Sequence, residues 1–104
     1  MLYNITEKLK FDEDPVLQIG EIQLTVKSDA EVVLKLLDIV NNNGEIAAAV
    51  QAQPLLLSEE DQEKLKGLHL KTADWLEVMG AAIQMAFGQE PEELPGEDET
   101  RTTT

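Results

Sequence analysis

The chain has 104 residues, 21 acidic against 8 basic side chains, a formal charge of −13 and no cysteine. One Arg and seven Lys cannot build the basic face that neutralises nucleic-acid phosphates, and an anionic membrane surface repels such a chain. With no disulfide framework, no thiol nucleophile, no apolar run of ~18 residues and no signal segment, the expectation is a small acidic soluble cytosolic protein, a binding module rather than an enzyme.

Residues 3–11 alternate Tyr3, Ile5, Glu7, Leu9 and Phe11 with Asn4, Thr6, Lys8 and Lys10. Apart from Glu7 this is the period-two pattern of a strand with one wet face. Asp12-Glu13-Asp14-Pro15 breaks it as a turn. In residues 16–27, Leu17 and Ile19 precede Gly20-Glu21, and Ile22, Leu24 and Val26 follow it in alternation. Gly at the first position of a two-residue loop fits a type II′ hairpin. The expectation is an antiparallel sheet of about three strands.

From Ser28 onward the pattern is helical. Ser28 with Glu31 forms a capping-box signal for a helix over 30–41, and Asn41-Asn42-Asn43-Gly44 ends it, with Gly44 in the position of a left-handed cap. Glu31, Lys35, Asp38 and Asn42 share one narrow stripe of that helix, and apolar residues fill about 220° of the rest. Residues 45–53 are Ala-rich and helical until Pro54 interferes, with Leu55-Leu56-Leu57 as an apolar connector. Ser58 opens a short acidic-capped helix that ends near Gly67, and Thr72 or Asp74 caps a last helix over about 73–88. Trp75, Leu76, Met79, Ile83 and Phe87 lie on an apolar arc of about 200° on that helix, twice the usual stripe of a surface helix. Such an arc is either a buried central helix or a surface for a partner or a second copy. These five residues are the candidate partner-binding set.

The overall expectation is an α+β fold, a small N-terminal antiparallel sheet followed by a C-terminal bundle of three to four helices, in one domain over 1–88. Residues 89–104 carry six acids, one Arg and a single large apolar residue, Leu94, and read as an acidic disordered tail. The body then holds a charge balance of −8 and the tail −5.

Catalytic chemistry finds little support. His69 is the lone histidine and sits between two leucines, and Ser28 and Ser58 are explained by capping. Asp12-Glu13-Asp14 lacks the spacing of an EF-hand loop, and the six glycines are isolated rather than grouped in a phosphate cradle. No catalytic, metal or cofactor residue is assigned.

The run Phe11-Asp12-Glu13-Asp14-Pro15-Val16-Leu17-Gln18-Ile19-Gly20-Glu21-Ile22, followed by Val26-Lys27-Ser28-Asp29-Ala30-Glu31-Val32-Val33-Leu34-Lys35-Leu36, resembles small proteins of the tail modules of long-tailed phages and prophages of Gram-positive bacteria, the tail assembly chaperones. The run Leu68-His69-Leu70-Lys71-Thr72-Ala73-Asp74-Trp75-Leu76-Glu77-Val78-Met79 and the end Gly88-Gln89-Glu90-Pro91 resemble the same group, so that the likeness covers about 5–93. It implies a non-enzymatic role in the host cytoplasm: binding the tape measure protein, keeping it soluble, helping to recruit tail tube subunits, and absence from the mature virion. It also implies a longer frameshifted form, with residues 89–104 at the junction. A holdase needs exposed apolar surface for its client and net charge for solubility, and both are present in the sequence. Two other readings fit the composition: an acidic nucleic-acid mimic that inhibits a DNA-binding protein, and a structural tail or neck subunit. The wide helical arcs also leave room for a homo-oligomer.

Overall fold

The computed structural model describes residues 1–9 and 14–89. Strands β1 (Val16–Ile19) and β2 (Ile22–Thr25) pair antiparallel, with Val16 opposite Thr25 and Ile19 opposite Ile22. Gly20 has φ +60° and Glu21 keeps a negative φ, as the first and second central residues of a type II′ turn require. Side chains alternate as expected: Leu24 and Val26 are buried and Leu17, Ile19 and Ile22 half-buried, while Gln18, Gln23 and Thr25 face water.

The fold is α+β, with two strands among the described residues rather than about three. The expected strand over 3–11 is absent as far as Leu9, and its remaining residues, 10 and 11, lie outside the described ones. In its place Thr6–Lys8 forms a single 3-10 turn. Asn4 is the physical reason: its Oδ1 accepts both the Thr6 N–H and the Thr6 hydroxyl. A short amide side chain offers the backbone this local alternative to a strand ladder, and Glu7 already broke the apolar alternation.

Four helices follow: α1 (Ala30–Asn42), α2 (Glu45–Leu56), α3 (Glu59–Lys66) and α4 (Thr72–Ala86). The Ser28 capping box does not form. Asp29 occupies the N-cap of α1 without a side-chain bond, and the Ser28 N–H (3.3 Å) and hydroxyl (2.9 Å) donate instead to Asp14 Oδ1. Gly44 is not a left-handed cap either. It has φ −71° and serves as the N-cap of α2. Two carbonyls near the end of α1 accept side-chain bonds: Asn42 Nδ2 donates to Asp38 O and Asn43 Nδ2 to Ile39 O, each at 2.8 Å. Asn43 leaves the helix in extended geometry (φ −138°, ψ 156°), so the chain runs straight into the N-cap of α2 without a left-handed residue.

Pro54 does not end α2, which runs on through Leu55 and Leu56. The carbonyl that a proline at this position leaves unserved belongs to Val50, and both residues lie on the exposed face, where water replaces the lost donor. For α3, Ser58 Oγ accepts the Asp61 N–H at 3.1 Å, the expected cap, and Gly67 follows the last turn in right-handed geometry. The left-handed residue of the next link is His69, with φ +52°. At the end of α4, Gly88 has φ +80°; its N–H reaches Met85 O and the Gln89 N–H reaches Gln84 O. This pair of bonds is a Schellman motif that stops the helix where its glycine predicts.

The core gathers Leu24 and Val26 from the hairpin, Leu36 from α1, Ala49, Ala52 and Leu56 from α2, Leu57, Leu65 from α3, and Met79, Ala82 and Ala86 from α4. Helix α2 is central, packing on α1 and on α4, and the small alanines of α2 and α4 let their backbones approach closely. The hairpin is fastened to this bundle by two bonds: Thr25 N–H to Asp61 Oδ2 and Lys27 N–H to Leu56 O, each at 2.9 Å. Among the described residues no helix is long and apolar enough to cross a membrane. The expected tail, 89–104, lies outside the described residues apart from Gln89.

Asp61→Ala strands the Thr25 N–H and should lower stability by about 2 kcal/mol in urea unfolding, with Asp61→Asn losing less because it keeps an acceptor. His69→Gly relieves a left-handed backbone at a non-glycine residue and should raise stability by about 0.5–1 kcal/mol in the same measurement.

Candidate interaction surface

Two helices carry apolar arcs too wide for an ordinary surface helix, and the fold treats them differently. On α4 the arc is largely covered. Met79, Ala82 and Ala86 are buried, and Trp75, Leu76, Val78, Ile83, Met85 and Phe87 are half-buried against the core. Of the five residues singled out in the sequence, Met79 is therefore fully enclosed and has nothing to offer a partner while the body stays folded. Trp75, Leu76, Ile83 and Phe87 each keep a partly open edge.

Trp75 is further committed by its polar end. Its indole N–H donates to Gln53 Oε1 at 2.8 Å, Gln53 Nε2 to Gln62 Oε1 at 3.4 Å, and Gln62 Nε2 to Leu57 O at 3.1 Å. This chain of amides braces α4 against α2 and α3. It also lines a half-open cleft of about 350 Å³ that Lys66, His69 and Leu70 complete. The cleft brings His69 beside Glu63 and Lys66, but its two amides are already engaged with protein groups.

The arc of α1 is covered in part, with Val32, Val33 and Ile39 half-buried, and the rest of it is exposed. Leu36 is the one buried residue of its thirteen. Leu34, Leu37 and Val40 expose 66%, 45% and 38% of their surface, and on α2 Ile46 and Val50 each expose 57%. The spacings 34/37 with 40, and 46 with 50, place each set along one side of its helix. The reason for this exposure is geometric. Helix α1 packs chiefly on α2, and among the described residues no further layer lies over its outer side. Covering five half-exposed side chains would contribute about 5 kcal/mol before the costs of association.

The polar stripe beside this surface is acidic: Glu31 and Asp38 flank Lys35, whose 3.9 Å pairing with Glu31 is exposed and worth little. Glu45 adds a further negative charge at the start of α2. Among the described residues no three His, Asp or Glu side chains converge as metal ligands.

The sequence pointed to α4 because its periodic run is the longer one and contains the tryptophan. The wide arc of α1, about 220°, is equally plain in the sequence as apolar surface for a client, but the residues named as candidates lie on α4; in the fold α1 packs chiefly on α2. Comparison of the chain with family models, with curated proteins and with solved structures gives no match in any of the three.

If α1 and α2 present an open surface rather than core, Leu34→Ser, Leu37→Ser and Val50→Ser should each change unfolding stability by no more than about 0.5 kcal/mol. Met79→Ala, by contrast, should cost about 2–4 kcal/mol. Urea titrations followed by the fluorescence of Trp75 measure both.

Proposed function

We propose that this protein is a non-enzymatic tail assembly chaperone of a long-tailed phage or prophage. It acts in the host cytoplasm, binds the tape measure protein and keeps it soluble, helps to recruit tail tube subunits, and is left out of the mature virion. The observation that carries this reading is the exposure of Leu34, Leu37 and Val40 on α1 and of Ile46 and Val50 on α2, on a chain whose formal charge is −13. The resemblance of residues 11–36 and 68–91 to the chaperones of phage tail modules supports it as well.

The physical logic is that of a holdase. A tape measure protein is long, helical and aggregation-prone, so its apolar helix faces need a temporary cover. An open apolar helical hairpin offers such a cover by groove packing, and association driven by buried apolar area needs no cofactor or covalent step. The negative charge keeps the chaperone and its loaded complex apart from other copies. The half-buried edges of Trp75, Leu76, Ile83 and Phe87 extend the surface toward a partner at the other side of α2.

Co-expression with the tape measure protein tests the reading directly. The client should be found in the soluble fraction with the wild-type chain and should return to the pellet with the Leu34→Ser/Leu37→Ser variant. Equal client solubility with and without the protein overturns the proposal. Mass spectrometry of purified virions separates it from a structural subunit, which would be present in many copies.

A further inference from the structure

The link between α1 and α2 holds the one Asn-Gly pair of the chain, Asn43-Gly44. Such a pair is chemically labile, because glycine has no side chain to shield its nitrogen. The deprotonated Gly44 nitrogen attacks Cγ of Asn43 and closes a cyclic imide. The Cγ–Nδ2 bond breaks, and Nδ2 leaves as ammonia, regaining the proton that the Gly44 nitrogen gave up. Water then opens the imide at either carbonyl and leaves an aspartate or an isoaspartate. The other asparagines precede residues with side chains: Asn4 before Ile5, Asn41 before Asn42, and Asn42 before Asn43.

The fold exposes the nucleophile and restrains the group it attacks. Gly44 is exposed, and its N–H has no acceptor among the described residues. Asn43 is half-buried with both ends of its amide held: Nδ2 donates to Ile39 O at 2.8 Å, and Oδ1 accepts from Gln51 Nε2 at 3.0 Å. Its ψ of 156° turns the Gly44 nitrogen away from Cβ about the Cα–C bond, whereas ring closure needs the two nearly eclipsed. Reaching that geometry rotates the link, and the link joins two helices packed on each other. The rotation therefore requires α1 to part from α2. The Gln51 bond stabilises the charge that builds on Oδ1 during attack, so the brake is the torsion together with the Ile39 bond.

We propose that Asn43 is a self-modification site under conformational control: it converts to aspartate or isoaspartate only while α1 is parted from α2. The product has no N–H to give Ile39 O. It also places a negative charge at the C-terminal end of α1, where the helix dipole disfavours one. Conversion therefore loosens, permanently, the helix that carries Leu34, Leu37 and Val40. The reaction consumes only water and the chain itself, so it does not depend on the chaperone reading.

The test incubates the full chain in mildly alkaline buffer and follows conversion by peptide mapping and by labelling with an isoaspartyl methyltransferase. Asn43 should convert faster than Asn4, Asn41 or Asn42, and faster still as pH rises. It should convert about tenfold to a thousandfold more slowly than in an unstructured peptide of residues 40–48, the factor set by local opening. Gly44→Ala fits the φ of −71° and meets open space, so it should slow conversion at least about tenfold with unchanged circular dichroism. Leu36→Ala removes the buried anchor of α1 and Ser28→Ala its bond to Asp14, and each should speed conversion several-fold. Ser28→Ala decides the matter if Leu36→Ala does not fold. Conversion in the folded chain as fast as in the peptide overturns the proposal. So does preference for another asparagine, a rate that Gly44→Ala leaves unchanged, or a rate that neither opening variant accelerates.

Discussion

The structure depends on how a two-stranded hairpin is held. A pair of four-residue strands is not stable alone in water, yet Leu24 and Val26 of this one form part of the core. Two hydrogen bonds fix its position. The Asp61 carboxylate, in the first turn of α3, accepts from Thr25, and the last carbonyl of α2, that of Leu56, accepts from Lys27. Both acceptors lie at the corner where α2 passes into α3, and Ser58 holds the first turn of that corner in place by capping Asp61. The bond to a charged acceptor is stronger than an ordinary amide pair, and it leaves the edge of β2 occupied rather than open to another strand.

Once the hairpin occupies one side of the corner, the remaining helices have limited places to go. Helix α2 takes the centre because its Ala48, Ala49 and Ala52 permit close approach on adjacent sides. Helix α4 covers one side, its Ala82 and Ala86 reducing the distance further. Helix α1 packs chiefly on α2, where Leu36 is buried and Val32, Val33 and Ile39 are half-buried, while Leu34, Leu37 and Val40 stay exposed. The open surface thus follows from a shortage of layers, and the proposed client binding is a way for another chain to supply the missing one.

Much of this was legible in the sequence. The hairpin with Gly20 at its turn, the four helices, the Ser58 cap and the Gly88 stop all follow from local rules whose physics is confined to a few neighbouring residues. The failures are of two kinds. Asn4 and Asp14 divert hydrogen bonds to side chains, which removes the expected strand up to Leu9 and the Ser28 capping box, and Asn43 leaves α1 in extended geometry, which removes the left-handed role of Gly44. Which of several nearby donors a short polar side chain will take is decided by tertiary geometry. The second kind concerns the site. Periodicity shows that a helix has a wide apolar arc, but whether that arc meets a neighbour depends on how many neighbours exist. The long-range link of Asp61 to Thr25, 36 residues apart, left no pattern at all.

The attachment of α1 has a consequence for the breathing of the fold. This helix is tied at both ends, by Ser28 to Asp14 at one and by the Asn43 amide oxygen to Gln51 at the other, with a single fully buried side chain, Leu36, between them. Local opening needs Leu36 and the half-buried Val32, Val33 and Ile39 to leave their seats, while hairpin, α2, α3 and α4 keep their mutual contacts. Helix α1 is therefore a hinged panel with two latches: it can lift without the rest unfolding, and when it lifts, the ties at its ends return it to the same seat.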